Sequence, residues 1–277
     1  SLFGVDPQFL FGHQIPQYIY NITAIISYII AFSRDKVTSI NRGFLFLIPG
    51  DPTPKQEEPE MRKNLAEQMK EWRHHIHHDP ELAFEEVHTS AYVAQLLEEM
   101  GLDVHRGIGG TGVVATLKAG DGPSVIGLRA DMDAIAMTEK TGLPYASANP
   151  GKMHACGHDG HVATLLGAAR LLSEQKNFNG TVRFIFQPAE EPGKGARAMI
   201  DDGLFEKFPM DEIYGLHNAS EIPEGTIHTR VGGILASEDN FTIRIKGKGA
   251  HASSPHLSID PLVTAAQIIL ALQTVVS

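Results

Sequence analysis

The chain has 277 residues, of which 42% are hydrophobic and 20% are charged, a composition typical of an ordinary globular protein. Lys and Arg number 23 and Asp and Glu number 33, so the formal net charge is -10. This acidic balance argues against nucleic acid or an anionic membrane as partner, because both attract basic surfaces. A single cysteine excludes an internal disulfide, and we therefore expect a cytoplasmic protein.

Residues 1–60 differ from the rest of the chain because no amphipathic period persists through them. Their longest apolar run, 22–32, has about half of the residues that a membrane-spanning helix needs, and it lacks the flanks of a signal peptide. We interpret 1–60 as translated upstream sequence outside the fold, with Met61 as the native start. The alternative is a genuine, poorly ordered extension. Native protein whose N-terminus lies well before Met61 would refute the first interpretation.

Apolar periodicity after residue 60 predicts alternating helices and strands. In the first helix, opened by Met61, four apolar residues recur at helical spacing: Leu65, Met69, Trp72 and Ile76. The later pattern predicts helices over 87–100, 160–173 and 196–201, and strands over 113–117, 125–128, 182–186, 213–216 and 226–229. Strands that alternate with helices are typical of an α/β fold, in which helices cover both faces of a sheet.

The pattern changes at about residue 233. Residues 241–246 alternate apolar and polar side chains, which predicts a strand with one solvent-exposed face, and a helix is expected over 261–276. We therefore expect a main domain over 61–232 and the first part of a smaller α+β domain over 233–277. One strand and one helix cannot bury a core alone, so the sequence looks cut short.

One motif places the only cysteine, Cys156, two residues before His158, with Gly157 between them. A tight turn at the glycine can direct both side chains at one point, and thiolate and imidazole are good ligands for zinc and similar divalent ions. A buried cysteine beside an incidental histidine is equally compatible with the spacing alone. His154 and His161 flank the motif, either as supporting groups or as surface residues.

Two adjacent carboxylates, Glu190 and Glu191, follow the predicted strand 182–186. Such a pair is costly to bury unless a cation neutralises it, although a solvated acidic turn is the commoner case. If a metal is bound, one carboxylate can hold the ion while the other takes a proton from the activated water. His217 ends the next strand, where ligand sites form in α/β folds, unless it is a capping or core histidine.

Three further groups could support such a site. Asp131 and Asp133 follow strand 125–128, where they could orient ligand imidazoles or pair with Arg129. His251, in a loop of small residues within the second domain, could donate to a developing oxyanion or belong to a flexible turn. A dense histidine run ends the first helix and forms either a metal tract or a favourable interaction with the helix dipole: His74, His75, His77 and His78.

Taken together, these residues resemble the metallo-amidohydrolase family of aminoacylases, hippurate hydrolases, N-acetyl-diaminopimelate deacetylases and auxin-amino-acid conjugate hydrolases, the cysteine-containing subfamily of a wider peptidase clan. The resemblance covers about Met61 to Ser277. Its motifs follow one another in order at 80–86 (PELAFEE), 109–112 (GGTG), 129–133 (RADMD), 154–159 (HACGHD), 187–191 (QPAEE), 215–217 (GLH) and 249–251 (GAH). Chance similarity does not produce so many motifs in one order.

The resemblance implies a mixed sheet flanked by helices, forming a di-zinc peptidase-like catalytic domain, with an inserted ferredoxin-like α+β lid, here truncated, that pairs subunits into a homodimer. It implies two divalent metal ions, zinc or manganese first and cobalt or nickel as alternatives. The matched ligands are Cys156, His158, Glu191 and His217. Glu190 matches the family's general base, and His251 matches the lid histidine that helps to stabilise the tetrahedral intermediate.

The reaction that the resemblance implies is hydrolysis of the amide bond of an N-acyl amino acid or a related small conjugate. The family's last metal ligand is a histidine beyond the lid, and this chain ends before it, so we expect an incomplete site. Two alternatives stay open: an inactive, metal-binding fragment of a truncated gene, and a dipeptidase or desuccinylase of the wider clan. An in-frame continuation of the gene that encodes a distal histidine would favour the enzyme.

Overall fold

The computed structural model describes residues 58–223, 225–236 and 240–275. The predictions for 1–57, which include most of the N-terminal extension and the apolar run 22–32, lie outside the described residues. The chain divides into two compact units, one ending at Ile227 and the other beginning at His228. Among the described helices, none has both the length and the apolar character that a membrane crossing requires.

The described part of the first unit contains both helices and strands, with two helices before the first three strands and a second pair of helices before the last strand. In chain order these are α1 (Glu58–His78), α2 (Val87–Glu99), β1 (Asp103–Ile108), β2 (Gly112–Ala119), β3 (Val125–Asp131), α3 (His158–Gln175), β4 (Gly180–Gln187), α4 (Gly195–Asp201), α5 (Leu204–Lys207) and β5 (Glu212–Gly215). Helix α1 begins before Met61, which was expected to open it. Strand β1 and the single-turn helix α5 were not predicted.

The strands form one mixed sheet in the order β1-β2-β4-β3-β5. The pairs β1-β2 and β2-β4 are antiparallel, whereas β3 runs parallel to both β4 and β5. The turn after β2 does not make a hairpin with β3, because β4 lies between these two strands in the sheet. The side-chain oxygen of Asn179 supports this turn by accepting the backbone N–H groups of Asp121 and Gly122 at 3.0 and 2.7 Å. These pairings confirm the predicted mixed sheet. Its three parallel strands, β3, β4 and β5, end at the same edge.

Apolar side chains pack on both faces of this sheet, which confirms the predicted helical layers. One face packs against α1, α2 and α3 and buries Trp72, Leu166 and Phe184. The other face packs against α4 and α5 and buries Ile185 and Met199. Neighbouring residues of β4 enter opposite clusters because side chains alternate along a strand. Burial of each such large side chain contributes about 1.5–3 kcal/mol.

In the second unit, the predicted helix 261–276 is confirmed over most of its length. It is α6 (Pro261–Leu272), followed by a 3-10 turn at Gln273–Val275. Asp260 caps α6 by accepting the backbone N–H of Leu262 at 2.9 Å, and Pro261 occupies the first turn, where its missing N–H costs nothing.

The strands predicted over 226–229 and 241–246 are wrong. Neither segment forms a ladder with any other described residue, and nearby pairing is limited to an isolated bridge between Lys248 and Ile259. Alternation of side chains makes a segment suitable for a sheet, but a strand also needs a neighbour that takes up its backbone hydrogen bonds.

Candidate metal centre

The candidate ligands lie where three parallel strands end near the start of a helix. The chain after β3 carries Asp133, the turn after β4 carries Glu190 and Glu191, and the segment after β5 carries His217. Helix α3 begins at His158. Because β3, β4 and β5 are parallel neighbours, the segments that follow them emerge at the same edge of the sheet, where ligand sites of α/β folds form.

Candidate ligand atoms from separate elements come together at this edge. The Sγ of Cys156 lies 3.4 Å from Nε2 of His217, and these atoms form a group with a ring nitrogen of His158 in which all distances are within 4.8 Å. His158 forms a second such group with carboxylate oxygens of Glu190 and Glu191. The structure therefore places the other three predicted ligands and the predicted base around the imidazole of His158.

Gly157 explains how Cys156 and His158 can face the same point. Its φ of 91° lies in the left-handed region, which glycine adopts without steric cost, and it caps the N-terminus of α3. A Cβ at this position would lie 2.5 Å from Oδ1 of Asn218. Asn218 follows His217, so the absence of a side chain at Gly157 also lets the two ligand-bearing loops approach each other.

The ring of His158 is completely buried and is oriented by the main chain. Its Nδ1 donates to the carbonyl oxygen of Asp133 at 2.8 Å, which directs Nε2 towards the cluster. Nε2 is buried and has no hydrogen-bond partner among the described residues, while carboxylate oxygens of Glu190 and Glu191 each lie 3.8 Å away. A buried polar atom without a partner is costly. A divalent metal ion would satisfy this nitrogen, since the surrounding donors are thiolate, imidazole and carboxylate.

The electrostatic environment of the cluster favours positive charge. Burial alone would lower the pKa of His158, but hydrogen bonding to Asp133 and nearby negative charges outweigh burial and raise its pKa to about 11. Contact with Cys156 raises the pKa of His217 to about 9, against burial. Contacts with His158 and His217 in turn lower the pKa of the Cys156 thiol. Groups that hold protons this strongly also attract a divalent cation, whose binding displaces the protons.

Asp133 orients both His158 and the acidic turn that carries Glu190 and Glu191. Its two carboxylate oxygens separately accept the backbone N–H groups of Glu190 and Glu191, at 2.8 and 3.0 Å. Asp133 was predicted to orient a ligand imidazole; it contacts the ring most closely through its main-chain carbonyl, and its side chain holds the turn. Burial alone would raise the pKa of Asp133, but the bonds from His158 and from the two amides lower it.

Asp131 lies beside His158, and one of its carboxylate oxygens forms a third group with metal-ligand spacing together with ring nitrogens of His158 and His161. Its carboxylate accepts from Arg129 Nη1 at 2.7 Å and pairs with Nδ1 of His161 at 2.6 Å. Its Oδ2 lies 3.6 Å from Nε2 of His158, which is beyond hydrogen-bond distance. The alternative ion pair with Arg129 therefore forms, and the imidazole that Asp131 orients is His161 rather than a predicted ligand. His161 contacts Asn218 through its other nitrogen, so it is a buried supporting group and not a surface residue.

Glu86 is a buried carboxylate beside the cluster that our sequence reasoning did not single out. Its Oε1 accepts the backbone N–H groups of Phe84 and Ala189 at 3.0 and 2.8 Å, and its Oε2 accepts the hydroxyl of Thr111 at 2.5 Å. Burial raises the pKa of Glu86, although these bonds oppose the shift. The one available signal was an acidic residue directly before a predicted helix, within the motif 80–86.

The histidine run in α1 does not form a metal tract. His77 lies between Asp159 and Glu139, with nitrogen–oxygen distances of 2.8 and 3.3 Å, and His74 stacks on a tyrosine ring with the centroids 3.6 Å apart. None of the four rings belongs to a group with metal-ligand spacing in the part of the chain that the structure describes. Their side chains separate because successive helical residues point in different directions.

Two other histidines singled out in the sequence are not among the candidate ligands. His154 is buried, neither of its ring nitrogens has a hydrogen-bond partner among the described residues, and burial lowers its pKa to about 4. His251 lies in the second unit, where it is exposed and its Nδ1 is 2.7 Å from the hydroxyl of Ser253. The contribution of His251 to catalysis stays a prediction.

Comparison with known proteins supports the interpretation of the cluster. The model of peptidase family M20/M25/M40 matches residues 127–275. The chain is 48% identical over 214 residues to a hippurate hydrolase from Campylobacter jejuni, covering 77% of this chain and 56% of that protein. It is 45% identical over 223 residues to an N-acetyl-L-cysteine deacetylase from Bacillus subtilis, covering 80% of this chain and 53% of that protein.

A solved structure also matches: a dinuclear metal-binding peptidase of the M20 family from Bacillus subtilis, with a TM-score of 0.56 and 40% identity over 58% of this chain and 45% of that one. The chain spans about half the length of the curated relatives it matches. The family match runs through the segments that carry all the candidate ligands and Glu190. The resemblance inferred from the motifs is thus confirmed, and the chain belongs to peptidase family M20/M25/M40.

Proposed function

We propose that the protein is a metal-dependent amidohydrolase that cleaves the amide bond of N-acyl amino acids or related small amide conjugates. The observation that carries this proposal is the convergence of a thiolate, a second imidazole and two adjacent carboxylates on the buried Nε2 of His158, which has no hydrogen-bond partner among the described residues. The relatives named hippurate hydrolase and N-acetyl-L-cysteine deacetylase support a small N-acyl amino acid as the substrate class.

Two divalent ions are the proposed cofactors, supported by the dinuclear relative and by the overlapping groups of ligand atoms that share His158. The residues that would hold them are Cys156, His158, Glu191 and His217. Zinc and manganese are the first candidates, with cobalt and nickel as alternatives, because a mixed sulfur, nitrogen and oxygen donor set does not select one of them. When bound, the ions would polarise the attacking water and the amide carbonyl.

Glu190 is the proposed general base. Its side chain is 39% exposed, so it can meet a substrate, and the bond from its backbone N–H to Asp133 fixes its position. Its carboxylate takes the proton of the attacking water and passes it to the leaving amine. His251 is proposed to donate to the oxygen of the tetrahedral intermediate.

The proposed organisation assigns 61–232 to the catalytic domain and 233–277 to the first part of a lid that pairs two subunits. A cytoplasmic location is proposed because the thiol of Cys156 must stay reduced in order to bind metal. With a net charge of -10, neither nucleic acid nor an anionic membrane is proposed as a partner.

The test is a substrate panel with the purified protein loaded separately with zinc, manganese, cobalt or nickel. N-benzoylglycine, N-acetyl amino acids, N-indoleacetyl amino acids, dipeptides and N-succinyl amino acids are offered, and the free amino acid is measured. Metal-dependent release that a chelator abolishes would support the proposal. Metal binding without release from any substrate would favour the inert metal-binding alternative. Release from dipeptides or succinylated amino acids alone would favour the wider clan.

A further inference from the structure

We propose that Glu86 is a positioning residue that sets the backbone of the turn carrying Glu190 and Glu191. The proposal rests on the proposed function for its catalytic meaning, whereas the contact itself is geometric. Glu86 directly precedes α2 and stands 103 residues before Ala189, whose backbone N–H it accepts at 2.8 Å. It therefore joins the turn after β4 to an element on which none of the candidate ligands lies.

The single oxygen Oε1 of Glu86 receives two backbone N–H groups from residues in unusual conformations. Phe84 has a φ of 63° and Ala189 a φ of 48°, both in the left-handed region that side chains disfavour. The other described residue of this kind that is not glycine, Lys176, ends helix α3, where such a conformation is common. Conformations of this kind persist when surrounding contacts impose them, and Glu86 supplies the same contact to both residues.

The turn itself is held by three successive amides. Ala189 donates to Glu86, and Glu190 and Glu191 donate to the two oxygens of Asp133. The two carboxylates come from separate elements and so fix the turn at two points. Without Glu86, the N–H of Ala189 loses its acceptor, while the carbonyl of Ala189 still accepts the N–H of Gly195 at 2.9 Å. The peptide that precedes Ala189 is then less restrained, and its rotation would shift Glu190 even though Asp133 is intact.

Thr111 provides a matched control, because its hydroxyl contacts only the other oxygen of the same carboxylate. In Glu86→Gln, the amide oxygen can still accept both backbone N–H groups, while the amide nitrogen can donate to the hydroxyl of Thr111. Glu86→Ala removes every one of these contacts. Thr111→Val removes one of them and leaves the bond to Ala189 in place.

The experiment is amide hydrogen exchange across 188–191 in the metal-free protein. Exchange in Glu86→Ala should be faster than in the wild type by about tenfold, the factor expected for loss of one hydrogen bond to a charged group. Glu86→Gln and Thr111→Val should exchange like the wild type. In parallel, titration with Co²⁺ should show about 10- to 100-fold weaker binding in Glu86→Ala and near-normal binding in Glu86→Gln.

Unchanged exchange across 188–191 in a folded Glu86→Ala protein would overturn the proposal, as would equal losses in Glu86→Ala and Glu86→Gln. If Glu86→Ala does not fold, Glu86→Met replaces it, since methionine keeps the volume and offers the two amides no oxygen. Failure of both to fold would make Glu86 a general folding residue and would also overturn the proposal. If exchange responds as expected but the wild type hydrolyses no amide, the positioning contact stands and the proposed function fails.

Discussion

Replacing Gly157 with alanine should destabilise the first unit and weaken metal binding together. The left-handed conformation at this residue, with φ of 91°, costs an L-amino acid about 1–2 kcal/mol. The new Cβ would also lie 2.5 Å from Oδ1 of Asn218, which is in contact with His161. Displacing Asn218 gives up that bond, at a cost of about 1 kcal/mol. The total expected loss is about 2–3 kcal/mol.

Gly151→Ala is the matched control for this prediction. Gly151 has a comparable φ of 80°, but nothing lies within 4 Å of a Cβ placed there. It should therefore show the backbone cost of about 1–2 kcal/mol without the collision. Urea denaturation gives the free energy of unfolding of both variants, and Co²⁺ titration gives their metal affinity.

Because Gly157 sets the relative directions of Cys156 and His158, its alanine variant should bind Co²⁺ about tenfold more weakly or worse, whereas Gly151→Ala should bind like the wild type. Equal destabilisation of the two variants would refute the collision with Asn218. Wild-type Co²⁺ affinity in Gly157→Ala would refute the argument that this glycine brings the two ligands together.

Three further predictions concern the acidic turn, His158 and His217. Glu190→Gln should lower turnover by about 10²- to 10⁴-fold with the metal content unchanged; loss of metal would contradict its role as base. Glu191→Gln should instead lose metal affinity, and a variant that retains full metal binding would remove Glu191 from the ligands. Metal affinity should rise with pH through 9 and beyond, because His158, with its pKa raised to about 11, and His217, with its pKa raised to about 9, must both lose a proton to bind. In the metal-free protein the raised pKa of His217 stabilises the fold below about pH 6.5, and this stabilisation is lost as pH rises through about 9. Calorimetry in buffers of different ionisation enthalpy should show proton release on metal binding, and proton uptake would contradict the assignment.

Periodicity predicted most elements of the first unit because their apolar faces are long and regular. Met69, Trp72 and Ile76 are buried as helical spacing requires, and the strand over 182–186 lies within β4. Periodicity could not predict the order of the strands in the sheet, because strand pairing depends on contacts between segments that are distant in sequence. In the structure, β4 lies between β2 and β3. The same dependence explains the wrong strands over 226–229 and 241–246, because neither backbone has a ladder partner among the described residues.

Part of the candidate site could be predicted because its chemically unusual residues lie close together in short sequence motifs. Cys156, His158 and the adjacent glutamates could be identified from the sequence for this reason. The supporting contacts could not, because Asp133 acts through both its main chain and its carboxylate, and Glu86 acts on a turn 103 residues away. A residue type indicates what a side chain can bind, whereas only the fold determines which partner comes within reach.

The most direct test of the metal centre is anomalous X-ray diffraction from crystals of the zinc-loaded protein, collected on both sides of the zinc absorption edge. We expect anomalous density for two ions in the cluster beside Nε2 of His158, with the Sγ of Cys156 at about 2.3 Å and the imidazole nitrogen of His158 at about 2.0–2.1 Å from an ion. Glu191 and His217 should complete the ligands, and Glu190 should remain free to face substrate. Density at another place, such as the histidine run in α1, or zinc bound without sulfur, would contradict the account.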